Sequence, residues 1–247
     1  MLLYQRLRLS GGAAYMTEPA CLICGAPLRY LENAREMTCE ICGRKYLSNA
    51  ACMNGHFVCD NCHAAPATTV IRSIALAAVE KDPFVIATAM MQSPAVHMHG
   101  PEHHILAGTA LLAAYRNAGG VLDLPAAVDE MFRRGAMVPG GFCGIAGACG
   151  AAISAGMFYS IATKTNPLST QSWGEVNLLT AACLTAIGSV GGPRCCKRDT
   201  YLALEEAVEF VREHTGITME LPAQRQCGFS NRNHECLREQ CPYYFPE

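Results

Sequence analysis

The sequence predicts a mainly α-helical protein, with an all-α body that follows a small cysteine-rich head. After Pro66, apolar residues recur at helical spacing, and no alternating apolar–polar run there is long enough to require a strand. Before it, residues 21–63 contain repeated Cys-x2-Cys pairs, whose spacing is typical of zinc ligands. We therefore predict three segments: a leader of no assigned role (1–18), a zinc-binding head (19–66) and an all-α metal-site domain with a cysteine-rich tail (67–247).

The composition excludes several classes of protein. Hydrophobic residues make up 51% of the 247 residues and charged residues 16%, with a net charge of −2. This balance predicts a large core and no basic surface for nucleic acid. The uncharged stretch between Arg134 and Lys164 is interrupted by Pro139 and is rich in Gly, Ala and Ser, so it does not predict a membrane span. The 15 cysteines, an odd number without a secretory signal, indicate a reducing, cytoplasmic location and metal binding.

Four ligand pairs lie close together in the head, and each fits a tight turn whose backbone amides point at the sulfurs. They are Cys21-x2-Cys24, Cys39-x2-Cys42, Cys52-x3-His56 and Cys59-x2-Cys62. Eight ligands predict two zinc ions of structural type, since four protein ligands leave no open coordination position. Spacing alone leaves two pairings open, because either adjacent or alternate pairs can share an ion.

From Cys39 to Cys62 the order of the ligands, with NGHFVCDNC at its centre, resembles the RING and treble-clef cross-brace. The resemblance implies that alternate pairs share a metal, with one ion on Cys39, Cys42, Cys59 and Cys62 and the other on Cys21, Cys24, Cys52 and His56. We favour this pairing over the sequential one. The remaining pair precedes the motif in this chain, so the resemblance does not imply ubiquitin ligation.

Helix boundaries in the body follow from apolar stripes, capping residues and breakers. The first helix carries an apolar stripe at Val70, Ile71, Ile74 and Ala78. Six more helices are predicted: from Asp82-Pro83, from Pro101 to Ala118, from Asp123 to Arg134, over Gly140–Thr163 as a helix buried on all sides, from a Ser172/Glu175 capping box to Ser189, and from an Asp199 cap to Gly216.

Half of the 8 histidines of the chain lie in the loop HMHGPEHH. His97 and His99 form a His-x-His pair, which on an extended segment points both rings to the same side. Such rings can chelate a metal or transfer protons. We therefore predict His97, His99 and His103 as catalytic residues, with surface histidines at a helix start as the alternative.

A second loop, GGPRCCKRD, sets adjacent cysteines among cations at a helix N-terminus. This setting favours thiolates and binds anions. It predicts reactive or metal-binding thiols at Cys195 and Cys196. The cations are predicted to hold a small anionic substrate: Arg194, Lys197 and Arg198. The alternative, a solvated basic helix start, does not account for the paired cysteines.

The C-terminal tail carries cysteines in the pattern Cys227-x8-Cys236-x4-Cys241-Pro and lacks a fourth ligand of its own. A cysteine before proline at the end of such a trio is typical of iron–sulfur binding segments, with zinc as the competing metal. We therefore predict that the tail folds back onto the body, where a further ligand comes from Cys143, Cys149, Cys195, Cys196 or His234.

Taken together, the segments NGHFVCDNCH, HMHGPEHH, GGFCGIAGACGAA and GGPRCCKRD, with the cysteine tail, resemble an uncharacterised domain-of-unknown-function family. The resemblance covers about residues 19–244. It implies an origin in anaerobes or methanogens and an occasional fusion to a methyltransferase, and it implies no settled activity.

The leading hypothesis is a metalloenzyme of redox or sulfur-transfer type that acts on a small anionic substrate. It would hold two zinc ions in the head and an iron–sulfur cluster, or another thiolate-bound metal, in the body. The site in the body would gather Cys143, Cys149, Cys195 and Cys196 together with the tail cysteines. The alternative is a non-catalytic zinc-binding adapter for a partner enzyme such as a methyltransferase or a redox protein. We expect no nucleic-acid and no membrane partner, and a homo-oligomer stays open.

Overall fold

The structure is a computed structural model that describes residue 21, residues 23–24 and residues 26–246. The predicted leader, residues 1–18, lies outside the described residues. The chain forms two compact units, Met1–Val58 and Cys59–Glu247. A small sheet precedes a series of helices, and cysteine clusters lie in the N-terminal part of the chain. The mainly α fold class is thereby confirmed.

The first unit is built on one antiparallel hairpin. Strand β1 (Leu28–Thr38) pairs with strand β2 (Lys45–Cys52), and the register is irregular in the middle of β1. The buried residues described in this unit include several cysteines and little else: Cys21, Met37, Cys39, Ala51 and Cys52. A two-stranded hairpin with so little apolar burial is marginal in water. A unit of this kind needs an additional source of stability, such as bound metal.

The second unit consists of helices in the order α1 (Asp60–Ala77), α2 (Pro83–Gln92), α3 (His103–Asn117), α4 (Leu124–Gly135), α5 (Phe142–Ala146), α6 (Gly150–Ala162), α7 (Gln171–Val190) and α8 (Cys196–Thr215). Short 3-10 helices follow in the tail, at Ser230–Arg232 and Arg238–Gln240. None of the helices in the described part of the chain is long and apolar enough to cross a membrane.

Helix α3 is the central element of this unit. It contacts α1, α2, α4, α6 and α8, and residues 105–114 are all buried. Small residues allow the close approach of neighbouring backbones. At Gly108, for example, an added Cβ would lie 2.6 Å from the carbonyl oxygen of Ser154 in α6. The apolar, alanine-rich sequence of α3 is therefore explained by burial on all sides.

Some predicted helix starts are confirmed and one is wrong. The Asp82 carboxylate accepts hydrogen bonds from the first N–H groups of α2, and Asp123 caps α4 in the same way. The capping box of Ser172 and Glu175 does not form, because α7 begins at Gln171 and Ser172 lies inside it. The Glu175 carboxylate instead accepts hydrogen bonds from the Gln171 side chain at 2.7 Å and from the Tyr159 hydroxyl at 2.9 Å.

Further helix predictions are corrected by the structure. Helix α8 has Cys195 as its N-cap, so Asp199 lies inside the first turn and does not cap it. The stretch Gly140–Thr163 forms α5 and α6 instead of one helix, because Gly147 adopts the left-handed conformation with φ 64. Pro66 lies inside α1, which begins near the last head ligands, instead of preceding the first helix.

Candidate metal centres

One candidate metal centre lies in the first unit. Its four ligand atoms all lie within 4.8 Å of one another and belong to Cys21, Cys24, Cys52 and His56. The Cys24 and Cys52 sulfurs are 3.5 Å apart, and His56 Nδ1 lies 3.2 Å from Cys24 Sγ. Two sulfurs bound tetrahedrally to one zinc at about 2.3 Å lie about 3.8 Å apart. The group therefore has the dimensions of a four-coordinate site.

Hydrogen bonds onto sulfur prepare this group for a cation. The Asn54 backbone N–H donates to Cys52 Sγ at 3.3 Å, and the Asn54 side-chain amide donates to Cys24 Sγ at 3.5 Å. The hydrogen bond from the Ala26 backbone is the largest of the effects that lower the pKa of Cys24 to about 6. Burial raises the pKa of Cys52, and the neighbouring sulfurs raise it further. A bound cation reverses this repulsion and keeps the thiols deprotonated.

The other predicted group, Cys39, Cys42, Cys59 and Cys62, draws its cysteines from both units, and its metal binding stays a prediction. The first unit by itself brings together Cys21, Cys24, Cys52 and His56, which are the alternate pairs that the cross-brace interpretation assigns to one ion. Four protein ligands are an arrangement typical of structural zinc. This group can therefore hold a metal ion such as zinc.

The second unit brings four cysteines to one cavity. The tail contributes three of them, and the N-cap of α8 contributes the fourth. They are Cys195, Cys227, Cys236 and Cys241. The tail thus folds back onto the body, where Cys195 lines the same cavity; metal binding by these cysteines stays a prediction.

Three of these four sulfurs accept hydrogen bonds from N–H groups. The Phe229 backbone donates to Cys227 Sγ at 3.4 Å, and the Arg238 backbone donates to Cys236 Sγ at 3.4 Å. The Asn233 side chain donates to Cys195 Sγ at 3.5 Å. Hydrogen bonds of this kind stabilise negative charge on thiolates that bind metal.

The spacing of the cavity sulfurs differs from that of the head groups. Among the residues that the structure describes, no three of these sulfurs lie within 4.8 Å of one another. They are nevertheless close enough to interact, because burial and the neighbouring Cys195, Cys241 and Cys236 raise the pKa of Cys227 to about 11. Burial also raises the pKa of Cys195. The cavity is therefore lined by four thiols that are spaced too widely for one tetrahedral ion.

The other cysteines that we predicted as ligands or catalytic thiols do not line this cavity. Cys143 lies in α5, and Cys149 is the N-cap of α6, with its thiol 3.8 Å from the Asp199 carboxylate. Burial raises the pKa of Cys149 and of Cys196 to about 12 in each case. Their predicted roles in metal binding or catalysis stay predictions.

The predicted substrate-binding cations differ in how far they are exposed to solvent. Arg194 is exposed. Lys197 is fully buried, donates to the His97 carbonyl oxygen at 2.9 Å and lies 5.1 Å from the centre of the Phe229 ring. Arg198 is buried and donates to the Asp199 carboxylate at 2.9 Å and to two backbone carbonyls. Lys197 and Arg198 therefore already have partners inside the protein, and anion binding stays a prediction.

The predicted catalytic histidines do not share one site. His99 Nε2 lies 3.3 Å from both Asn233 Oδ1 and Glu235 Oε2. His103 is buried, and burial lowers its pKa to about 3, so its ring is neutral at physiological pH. The two rings of the His-x-His pair thus contact different carboxylates, because His99 lies beside Glu235 and His97 lies beside Glu102.

His97 contacts Glu102, and both lie close to His63 of α1. Burial would raise the pKa of Glu102, but its contacts with His63 and His97 hold that pKa well below its ordinary value. The sequence analysis assigned no role to Glu102 and did not connect His63 with His97. Glu102 could have been predicted as a ligand, because it lies among the histidines of the loop. No pattern in the sequence predicts that His63 contacts this loop.

Comparisons with curated proteins and with solved structures found no match. A family model matches residues 71–244, which include the cysteine cavity and the histidine loop. The predicted membership of an uncharacterised family is confirmed for this part, while the head ligands lie outside the match. The chain belongs to a family of unknown function (DUF5714).

Proposed function

We propose that the protein is a redox metalloprotein whose helical domain binds an iron–sulfur cluster. The ligands would be Cys195, Cys227, Cys236 and Cys241. The observation that supports the proposal most directly is the cavity lined by these four thiols. Two further tetrads in the N-terminal part would hold structural zinc.

The spacing of the sulfurs favours a cluster over zinc. A single zinc ion requires thiolates about 3.8 Å apart. Cys24 and Cys52 of the first unit lie at 3.5 Å, whereas no three of the cavity sulfurs in the described part of the chain lie within 4.8 Å of one another. Iron–sulfur clusters place several metal ions between four cysteine thiolates, so they suit a wider arrangement. The Cys241-Pro pair and the N–H groups that donate to three of the sulfurs are also typical of such sites.

A cluster in this cavity would supply one-electron transfer. The residues of the chain set its surroundings. Phe229 and Leu237 are apolar side chains in the cavity wall, and they limit the access of water. The buried cations Lys197 and Arg198 lie next to Cys195 in sequence and offset the negative charge of the thiolates. We propose a small anionic substrate, for which the exposed Arg194 is the candidate contact.

The proposal is tested on full-length protein purified without oxygen. We expect iron and acid-labile sulfide, together with visible absorbance that bleaches on reduction. Cys236→Ala and Cys195→Ala should each lose most of the iron, the sulfide and the absorbance while they retain the zinc of the head. The matched control is Cys183→Ala, because Cys183 is a buried thiol in α7 that belongs to none of the metal-binding groups.

The contrary result is equally clear. If reconstituted protein holds only zinc, and the cavity variants lose zinc without any change in absorbance, the cluster proposal is wrong. The chain would then carry a third thiolate-bound zinc, and the non-catalytic adapter for a partner enzyme would become the better hypothesis.

A further inference from the structure

A buried carboxylate in the histidine loop has an unsatisfied oxygen. Glu102, at the N-cap of α3, is 0% exposed. Its Oε1 accepts a hydrogen bond from the His97 backbone N–H at 2.8 Å and lies 3.1 Å from His97 Nδ1. Its Oε2 has no hydrogen-bond partner among the described residues. Leaving a buried carboxylate oxygen without a partner is costly, so this atom needs an explanation.

The His63 ring, which lies beside this carboxylate oxygen, has an unsatisfied nitrogen as well. His63 Nδ1, on α1, is buried and has no hydrogen-bond partner among the described residues. It lies 3.8 Å from Glu102 Oε2. That separation exceeds the range of a hydrogen bond. A proton shared between the two atoms therefore does not satisfy either of them.

A metal ion satisfies both atoms. One ligand atom from each of His63, His97 and Glu102 lies within 4.8 Å of the others. An ion bound to nitrogen and oxygen at about 2.0–2.2 Å joins ligand atoms that are up to about 4.2 Å apart. The separations of 3.1 Å and 3.8 Å from the carboxylate oxygens both fall within that limit.

We propose that His63, His97 and Glu102 form a third metal site, which binds a divalent transition metal ion such as zinc or iron(II). Two imidazoles and one carboxylate are a ligand set that these ions accept. Three protein ligands leave at least one coordination position for water or for an oxygen atom of a substrate. This site differs in kind from the head tetrads, and it does not depend on a cluster in the cysteine cavity.

The loop holds the carboxylate in place before any metal binds. A Cβ added to Gly100 would lie 2.2 Å from Glu102 Oε2 and 2.6 Å from Glu102 Oε1, so the carboxylate packs directly against the backbone of Gly100. The His97 carbonyl oxygen accepts a hydrogen bond from the buried Lys197. These contacts fix the segment that carries two of the three ligands, as a metal site requires.

The test is a zinc titration of the full-length protein, with metal content measured after removal of weakly bound ions. We expect wild-type protein to hold one more zinc per chain than the head tetrads account for. Glu102→Gln, which keeps the shape of the side chain, should weaken binding of that ion by at least about 100-fold, since even the outer partners of metal ligands are worth about 10–100-fold. His97→Ala should have the same effect.

Controls separate the loss of a ligand from misfolding. His214→Ala is the matched control, because His214 is exposed and its ring stacks on Phe210 of its own helix α8. Titration with cobalt(II) gives a second readout, since the thiolate sites produce sulfur-to-cobalt absorption and a histidine–carboxylate site does not. In Glu102→Gln the sulfur-dependent absorption should persist while the last cobalt equivalent disappears.

Either of two results would overturn the proposal. Wild-type protein could bind no zinc or cobalt beyond the thiolate sites, or Glu102→Gln could bind the additional ion as tightly as wild type. Iron and sulfide content, measured on the same samples, reports separately on the cluster in the cysteine cavity. Failure of the third site and failure of the cluster are therefore distinguishable.

Discussion

Replacement of Gly100 by alanine tests whether the loop positions the Glu102 carboxylate. The added Cβ would meet Glu102 Oε2 at 2.2 Å and the carboxyl carbon at 2.6 Å. A flexible side chain would normally rotate away from such a contact at little cost. This carboxylate is fully buried and accepts from the His97 backbone N–H, so any displacement breaks that hydrogen bond or forces the loop to move.

The magnitude follows from these contacts. A hydrogen bond to a charged group contributes about 1.5–3 kcal/mol, and overpacking in a tight site costs about 1–3 kcal/mol. We therefore expect Gly100→Ala to lower the free energy of unfolding by roughly 2–4 kcal/mol. At about 2–4 °C per kcal/mol for a domain of this size, the melting temperature should fall by roughly 4–16 °C.

The assay is thermal unfolding followed by circular dichroism, in chelator and in excess zinc. The matched control is Gly174→Ala in α7, where an added Cβ meets nothing within 4 Å; it should stabilise the helix by about 0.5–1 kcal/mol. Zinc should raise the melting temperature of Gly174→Ala more than that of Gly100→Ala, because only an intact site gains binding free energy. Equal melting temperatures of Gly100→Ala and wild type would refute the packing argument.

Three further outcomes are expected. Asn233→Leu removes the amide that donates to Cys195 Sγ. Loss of about 1 kcal/mol of hydrogen-bond stabilisation of the reduced cluster corresponds to a reduction potential about 40 mV more negative. An unchanged potential in redox titration would contradict the role assigned to Asn233. Gly108→Ala places a Cβ 2.6 Å from the Ser154 carbonyl oxygen, so the denaturation midpoint should fall by the equivalent of about 1–3 kcal/mol; a midpoint equal to that of wild type would show that α3 and α6 are packed less closely. Cys52→Ser should lose one zinc per chain and no iron. Because the pKa of Cys52 is raised, the zinc affinity of the wild-type head should fall as the pH falls. Zinc binding that is independent of pH would argue against thiolate ligation in the head.

Local features of the body were predictable wherever the chain supplies its own partner. Asp82 and Asp123 cap their helices because an N-cap needs only the next few N–H groups. The capping box at Glu175 failed because α7 begins before Ser172, and because the carboxylate accepts hydrogen bonds from Gln171 of its own helix and from the distant Tyr159 hydroxyl. Local and tertiary donors compete for one carboxylate, and the capping pattern alone does not reveal them.

The histidine loop shows the same limit at a candidate site. His97 and His99 are related in sequence as a chelating pair, yet each binds a different carboxylate in the fold. His63 enters the group from α1, where its neighbours in sequence are head ligands. A helix position fixes which way a side chain points only after the helix has packed, so no spacing rule predicts this contact.

The sequence by itself determined the ligand pairs of the head, the helical character of the body and the presence of a cysteine trio in the tail. These depend on spacing within single turns and on apolar periodicity, which are local properties. Only the tertiary structure decided that Cys195 lines one cavity with the trio, while Cys143, Cys149 and Cys196 do not. The physical reason is that those thiols all begin or precede helices, and the choice among them depends on how the helices and the returning tail pack together.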